Sequence, residues 1–310
     1  MKRTVTFGIL SLMGSLTYGQ NIPIHVNALY PEGTAYSKKQ DVFFVSSINT
    51  GQIGKLDRKG HYSIFTNDPE LIATVGIKAD ESTNTLYVTN VDNSVAVKSN
   101  PATAFKMSEL IGYDLKTGAR KFKVDLAKLN PGQSNFINDI TLDGEGNLYI
   151  TNSFAPMIFK IDKNHKASIF AQNEAWKGEG FNLNGIVYHP KGYLLVAQSS
   201  TGILYKINTQ DPSDVQKVQS EAFKGADGLI LNGSNELVVI CNAAGKIYQI
   251  KTTDDWKSAN ITGVQQSILP FPTTGVLVNN TYHILNGRLP ELFDPKATRS
   301  VEFMLQEVKF

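Results

Sequence analysis

FINDITLDGEGNLYITNS, residues 136–153, decides how the rest of the chain is read. A polar pair, Asn138 and Asp139, opens an apolar run. A Gly-Glu-Gly-Asn turn then reverses the chain, and a second alternating run ends in Thr151, Asn152 and Ser153. Strand side chains point alternately to opposite faces and glycine supplies the backbone angles of tight reversals, so this pattern is that of a β-hairpin. It recurs five more times: PEGTAYSKKQDVFFVSS from Pro31, VGIKADESTNTLYVTN from Val75, LNGIVYHPKGYLLVAQS from Leu183, ADGLILNGSNELVVIC from Ala226 and TTGVLVNNTYHILNG from Thr273.

In register, Gly33, Gly76, Asp139, Gly185, Gly228 and Gly275 fall in one column, at intervals of 43, 63, 46, 43 and 47 residues. Such periods suit one four-stranded blade per repeat. Further alternating runs with turns, such as IGKLDRKGHYSIFT after the first copy and MIFKIDKNHKASIFA after the third, bring each unit to four strands. No helical period of useful length intervenes; residues 127–131 and 173–177 make at most short turns. The fold class expected is all-β, a six-bladed β-propeller of four-stranded blades spanning residues 20–310, its ring closed by the terminal strands. The 63-residue interval carries an insertion at 91–110, which leaves the second strand of its blade and is either an ordinary surface loop or a cover over one channel mouth.

Charge is nearly balanced, with 30 Lys and Arg against 28 Asp and Glu and no dense basic cluster, so nothing points to nucleic acid. Residues 1–19 have the parts of a secretory signal: Lys2 and Arg3, an apolar stretch over 5–16, and a small-residue exit. That stretch is shorter than the roughly 20 residues of a membrane span. The expectation is an exported protein, periplasmic or extracellular, without a membrane span. Cys241 is the one cysteine, which excludes an intrachain disulfide and a thiolate metal cluster; its strand context suits a small buried hydrophobe.

The column preceding the aligned glycines carries the chemistry: Glu32, Val75, Asn138, Asn184, Asp227 and Thr274. Equivalent positions of successive blades lie on a ring about the propeller axis, at one mouth of its channel. Four oxygen-bearing side chains, Glu32, Asn138, Asn184 and Asp227, therefore converge. Two carboxylates and two amide carbonyls, with no His or Cys, suit one hard divalent cation, Ca2+ first, with Mg2+, Mn2+ and Zn2+ left open. Turn chemistry alone also places Asn, Asp and Gly where loops enter strands, but it has no use for Glu.

These four segments resemble those of the calcium-dependent six-bladed propeller hydrolases, gluconolactonase and the senescence marker protein regucalcin, with paraoxonase and diisopropylfluorophosphatase as more distant relatives. The resemblance runs over nearly the whole chain after the signal. It implies that the family's metal-binding Glu is Glu32 in YPEG, its first Asn is Asn138 in FIND, its second is Asn184 in LNGI and its Asp is Asp227 in ADGL, with Asp227 also one proposed base or nucleophile. Three departures follow. Gluconolactonase-type members have an Arg two residues before the first Asn, where this chain has Phe136. Paraoxonases follow the Glu with an acidic residue for a second, structural calcium, where this chain has Gly33, so one ion is expected. The paraoxonase His pair has no counterpart in the insertion.

Of the five histidines, His25, His61, His165 and His189 read as solvated surface and His283 as buried. Loops leaving the second strand of each blade open at the same mouth as the column, which makes Ser46, Asn90, Asn152, Gln198, Asn242 and Arg288 rim candidates, though strand ends need polar caps in any case. Phe136, Asn152 and Arg288 are the substrate-binding candidates. Two functions fit. One is a secreted cation-dependent hydrolase of a lactone or related ester with a small-molecule substrate and Asp227 as its catalytic residue. The other is a non-catalytic propeller with a structural cation that binds a small ligand or a partner protein.

Overall fold

The hairpins of the repeats fold into four-stranded antiparallel sheets. The computed structural model describes residues 21–310, whose strands sort into six such sheets; the signal segment expected at 1–19 lies outside the described residues. After β1 (Ile22–His25), the first blade is β2 (Thr34–Ser37), β3 (Val42–Val45), β4 (Ile53–Leu56) and β5 (Tyr62–Thr66). The second is β6 (Ala73–Asp80), β7 (Thr85–Val91), β8 (Ser108–Asp114) and β9 (Arg120–Asp125). The third is β10 (Ile137–Leu142), β11 (Leu148–Asn152), β12 (Met157–Ile161) and β13 (Ala167–Gln172). The fourth is β14 (Leu183–His189), β15 (Tyr193–Gln198), β16 (Ile203–Asn208) and β17 (Val215–Lys217), and the fifth is β18 (Ala226–Asn232), β19 (Glu236–Cys241), β20 (Lys246–Lys251) and β21 (Asn260–Gln266). The sixth contains β22 (Pro272–Val278), β23 (Thr281–Asn286) and β24 (Glu302–Val308), with β1 paired to β24 as its outer strand. The first strands of successive blades pack on one another round the whole circle, so the chain is a six-bladed β-propeller closed by its two terminal strands.

What places most of the polar column on the axis is a break in the inner ladder of five of the six blades. In the second to sixth blades the pairing of the first two strands shifts register at Thr74/Ile77, Ile137/Ile140, Leu183/Ile186, Ala226/Leu229 and Pro272/Gly275. The skipped residues are bulged out of the ladder, which re-aims their side chains. Asn138, Asn184 and Asp227 are among them. Glu32 lies just before β2, between the pairings of Ile48 N to Tyr30 O (3.1 Å) and Ser46 N to Gly33 O (3.0 Å).

The glycines that follow are required by contact. A Cβ on Gly76 would sit 2.2 Å from the Asn138 carbonyl oxygen, and one on Gly185 would sit 2.2 Å from that of Asp227. The bulge of the third blade thus presses on the second blade, and that of the fifth on the fourth. Asp139 is the exception in the column, and its carboxylate accepts from Ile140 N (2.8 Å) and, across the blade gap, from Ile186 N (3.2 Å). Hydroxyls of the second strands add further links: Thr89 Oγ1 donates to Asn138 O (3.0 Å), Thr151 Oγ1 to Asn184 O (2.7 Å) and Ser46 Oγ to Val75 O (2.7 Å).

Large apolar side chains fill the space between blades, with Tyr149, Trp176, Leu194 and Tyr205 forming one such layer. Burying each contributes on the order of 1.5–3 kcal/mol. Cys241 is buried as expected, and burial pushes its thiol up to about 12. His283 is buried as expected, but His189 is a correction: it is also fully buried, with a ring nitrogen 2.9 Å from Ser234 O of the next blade and its ring stacked 4.2 Å from Tyr193. The turns anticipated near 127–131 and 173–177 are 3-10 turns at Ala127–Leu129 and Glu174–Trp176, and a short helix not anticipated, α1 (Pro290–Phe293), follows β23.

The insertion is organised by one carboxylate. Asp92 accepts from Ser94 N (3.0 Å), Asn100 N (2.9 Å), Thr103 Oγ1 (2.7 Å) and the Ser99 hydroxyl. Val97 N donates to Asn49 O (2.8 Å) and Asn135 N to Phe105 O (2.7 Å), so the loop bridges the first and third blades. None of its residues lines a channel cavity.

Candidate metal centre

At one mouth of the channel a cavity of about 420 Å³ has Glu32, Asn138, Asn184 and Asp227 among its lining residues. The same four border a void of about 10 Å³ just below, where Gly33, Gly76, Asp139 and Gly228 narrow the channel. A void of that size is close to a single water-sized sphere. The bulges of the third to fifth blades and the segment entering β2 thus bring all four sequence candidates together at one place.

The electrostatics of the set are unbalanced without a cation. Burial, then the neighbouring Asp227 and Asp139 charges, push the Glu32 carboxyl well above its ordinary range. Burial pushes Asp227 up to about 7 against a hydrogen bond from Asn242, with Asp139 adding to the rise and Asn184 opposing it. Asp139 itself rises to about 6 through burial, opposed by its two backbone donors and by Lys78. Buried carboxylates normally persist only when paired or bound to a metal. Among the described residues the Glu32 side chain has no hydrogen-bond donor, and no Lys, Arg or His side chain lies within ion-pair distance of Glu32 or Asp227.

Among the described residues no three His, Cys, Asp or Glu side chains gather into a cluster able to hold an ion unaided. Amide oxygens must therefore complete any ligand set, as Asn138 and Asn184 can. The orientation of Asn138 supports this role: it donates through Nδ2 to Ser153 Oγ (3.1 Å), which leaves Oδ1 for the axis. Ser153 Oγ in turn donates to Leu183 O (2.6 Å). Asn242 Nδ2 donates to Asp227 Oδ2 at 3.2 Å. A small void lined by Glu32, Asp227, Asn138 and Asn184, with the Asp139 carboxylate beside them held by backbone N–H groups, fits one hard divalent cation.

The remaining candidates separate by position. Phe136 is 2% exposed and lines the mouth cavity, its ring edge-on to Phe181 at 5.1 Å and beside Phe154 at 5.4 Å. Asn152 is fully buried beneath this wall: its Oδ1 accepts from the backbone N–H groups of Phe136, Phe154 and Ala155, and its Nδ2 donates to Asn135. Arg288 pairs with Glu291 at 3.1 Å and does not line the cavity. Of the rim candidates, Asn242 lines it, whereas Ser46, Asn90 and Gln198 bond within and between blades. Several wall residues were not anticipated: Glu179, Ser199, Ser200, and Leu289, Pro290 and Phe293 on and beside α1. Only the Leu-Pro-Glu run, with proline at a first helical position, could have signalled α1.

No protein-family model matches the sequence, and no curated protein matches it. Solved structures do. The major Malassezia sympodialis allergen Mala s 1 is similar at a TM-score of 0.74 and 16% identity, over 94% of this chain and 97% of that one. The calcium-binding protein regucalcin from Agrobacterium tumefaciens is similar at 0.67 and 14%, over 94% and 95%. A luciferin-regenerating enzyme is similar at 0.65 and 12%, over 94% and 97%. What this chain shares with them across nearly its whole length is the propeller fold.

Proposed function

We propose that this protein is an exported hydrolase of a lactone or related ester, dependent on one divalent cation, Ca2+ by preference. The observation that carries the reading is a single cavity whose floor is the set Glu32, Asn138, Asn184 and Asp227 and whose wall includes Phe136, Phe181, Phe271, Leu289 and Phe293. A cation in the floor would supply Lewis-acid polarisation of a substrate oxygen. The chain's own residues do the rest. Asp227, whose Oδ2 accepts a hydrogen bond from Asn242, would accept a proton from an attacking water. The aromatic wall holds the substrate body and excludes water.

The wall also selects. The charged residues lining the cavity are Glu32, Glu179 and Asp227, all acidic, and Phe136 stands where sugar-lactonases place Arg. Anionic or heavily hydroxylated lactones would leave polar groups unpaired, at a cost on the order of 1–3 kcal/mol each. Less polar lactones and esters fit better. The test is kcat/KM for an aliphatic lactone against a sugar-acid lactone, with chelator and after calcium is restored, in wild type and Phe136→Arg. We expect calcium-dependent turnover favouring the aliphatic substrate, and a preference shifted toward the sugar acid by Phe136→Arg. Calcium binding without turnover of any lactone or ester would leave the non-catalytic propeller instead.

A further inference from the structure

Beyond the constriction at Asp139 the channel opens again, toward the opposite face, into a cavity of about 410 Å³. Its walls are the inner strands β2, β6, β10, β14, β18 and β22, and their lining is mixed: Thr274, Tyr36 and Tyr188 stand with the half-buried Leu142, Val276 and Leu277. Its two charged lining residues are Lys78 and Asp139. They are not equivalent. Both Asp139 oxygens accept backbone N–H bonds, from Ile140 and Ile186. The Lys78 ammonium keeps solvent-accessible surface inside the channel and has no carboxylate within ion-pair distance and no hydrogen-bond acceptor among the described residues. Three donors on a positive charge thus face a concave space of mixed polar and apolar lining, of the size that small ligands occupy.

We propose that this far cavity is a second ligand site, taking a small organic carboxylate whose charged end pairs with Lys78 and whose aliphatic body lies along the inner strands. A lining that offers both polar and apolar groups suits an amphipathic anion. Asp139 lies near Lys78 without pairing with it, so a bound carboxylate would add the charge partner that the described residues do not supply. The site is separate from the mouth cavity and does not depend on the hydrolytic reading.

The test is titration of the calcium-loaded protein with sodium hexanoate, by calorimetry and by amide NMR, with 1-hexanol as the uncharged control. Expected are one-to-one binding with shifts at Lys78, Ala79 and Tyr188, weaker binding of hexanol, at least a tenfold loss in Lys78→Met, and retention in Lys78→Arg. Phe181→Ala, in the wall of the other cavity, should leave hexanoate affinity unchanged. Shifts confined to Phe181 and Asn242, an unchanged affinity in Lys78→Met, equal binding of hexanol, or no binding would each overturn the proposal.

Discussion

Asn242, at the end of the fifth blade's second strand, donates through Nδ2 to Asp227 Oδ2 at 3.2 Å. Asp227 is the first-strand carboxylate of the same blade, so the blade orients its own ligand. Replacing Asn242 by Leu removes the donor while keeping bulk, and calcium affinity should fall about 10–100-fold, the usual effect of losing a group that orients a ligand. Calorimetric calcium titration measures this, with thermal unfolding as the control for the fold. An affinity within twofold of wild type would mean that Asp227 needs no such support.

Cation binding and chemistry should separate by residue. Asp227→Asn keeps a carbonyl oxygen but loses charge and basicity, so kcat should collapse further than calcium affinity does. Glu32→Gln removes charge from a residue with no other assigned role, so affinity should fall first and activity should recover at high calcium. Parallel losses in the two variants would remove the argument for Asp227 as base.

The column was legible in the sequence because a bulge has its own residue chemistry: glycine where blades touch, and Asn or Asp beside it. Glu32 stood out for having no such use. The supporting residues were less legible. Ser153 and α1 belong to loops whose paths depend on neighbouring blades, and four helical residues carry no period. His189 lies in a His-Pro-Lys-Gly run that reads as a turn, yet Ser234 of the next blade closes over it. Lys78 looks like an outward polar strand residue until the ring closes and the end of β6 becomes channel wall. The local pattern specifies each blade, whereas inter-blade contacts become visible only with the circle complete.

Stability of the cation-free protein should fall as pH rises from about 5 to 8. Glu32, Asp227 at about 7 and Asp139 at about 6 all have carboxyl pKa values raised by burial, so the folded state holds protons there that the unfolded chain, with carboxyls near 4, has released. Their stabilising contribution is complete below the unfolded values and is lost as pH passes the folded ones. Bound calcium replaces the protons on Glu32 and Asp227, so its effect on Tm should grow over the same window. Thermal unfolding with and without chelator at several pH values decides; a cation-free Tm that is flat or rising from pH 5 to 8 would contradict the assignment.

Most direct is a crystal structure of the protein grown with calcium, with the ion located by anomalous scattering. One ion should lie on the channel axis with an oxygen each from Glu32, Asn138, Asn184 and Asp227 at roughly 2.3–2.6 Å, its remaining positions open to the mouth cavity. An ion bound elsewhere, or an empty axis at millimolar calcium, would contradict a metal centre built from these four residues.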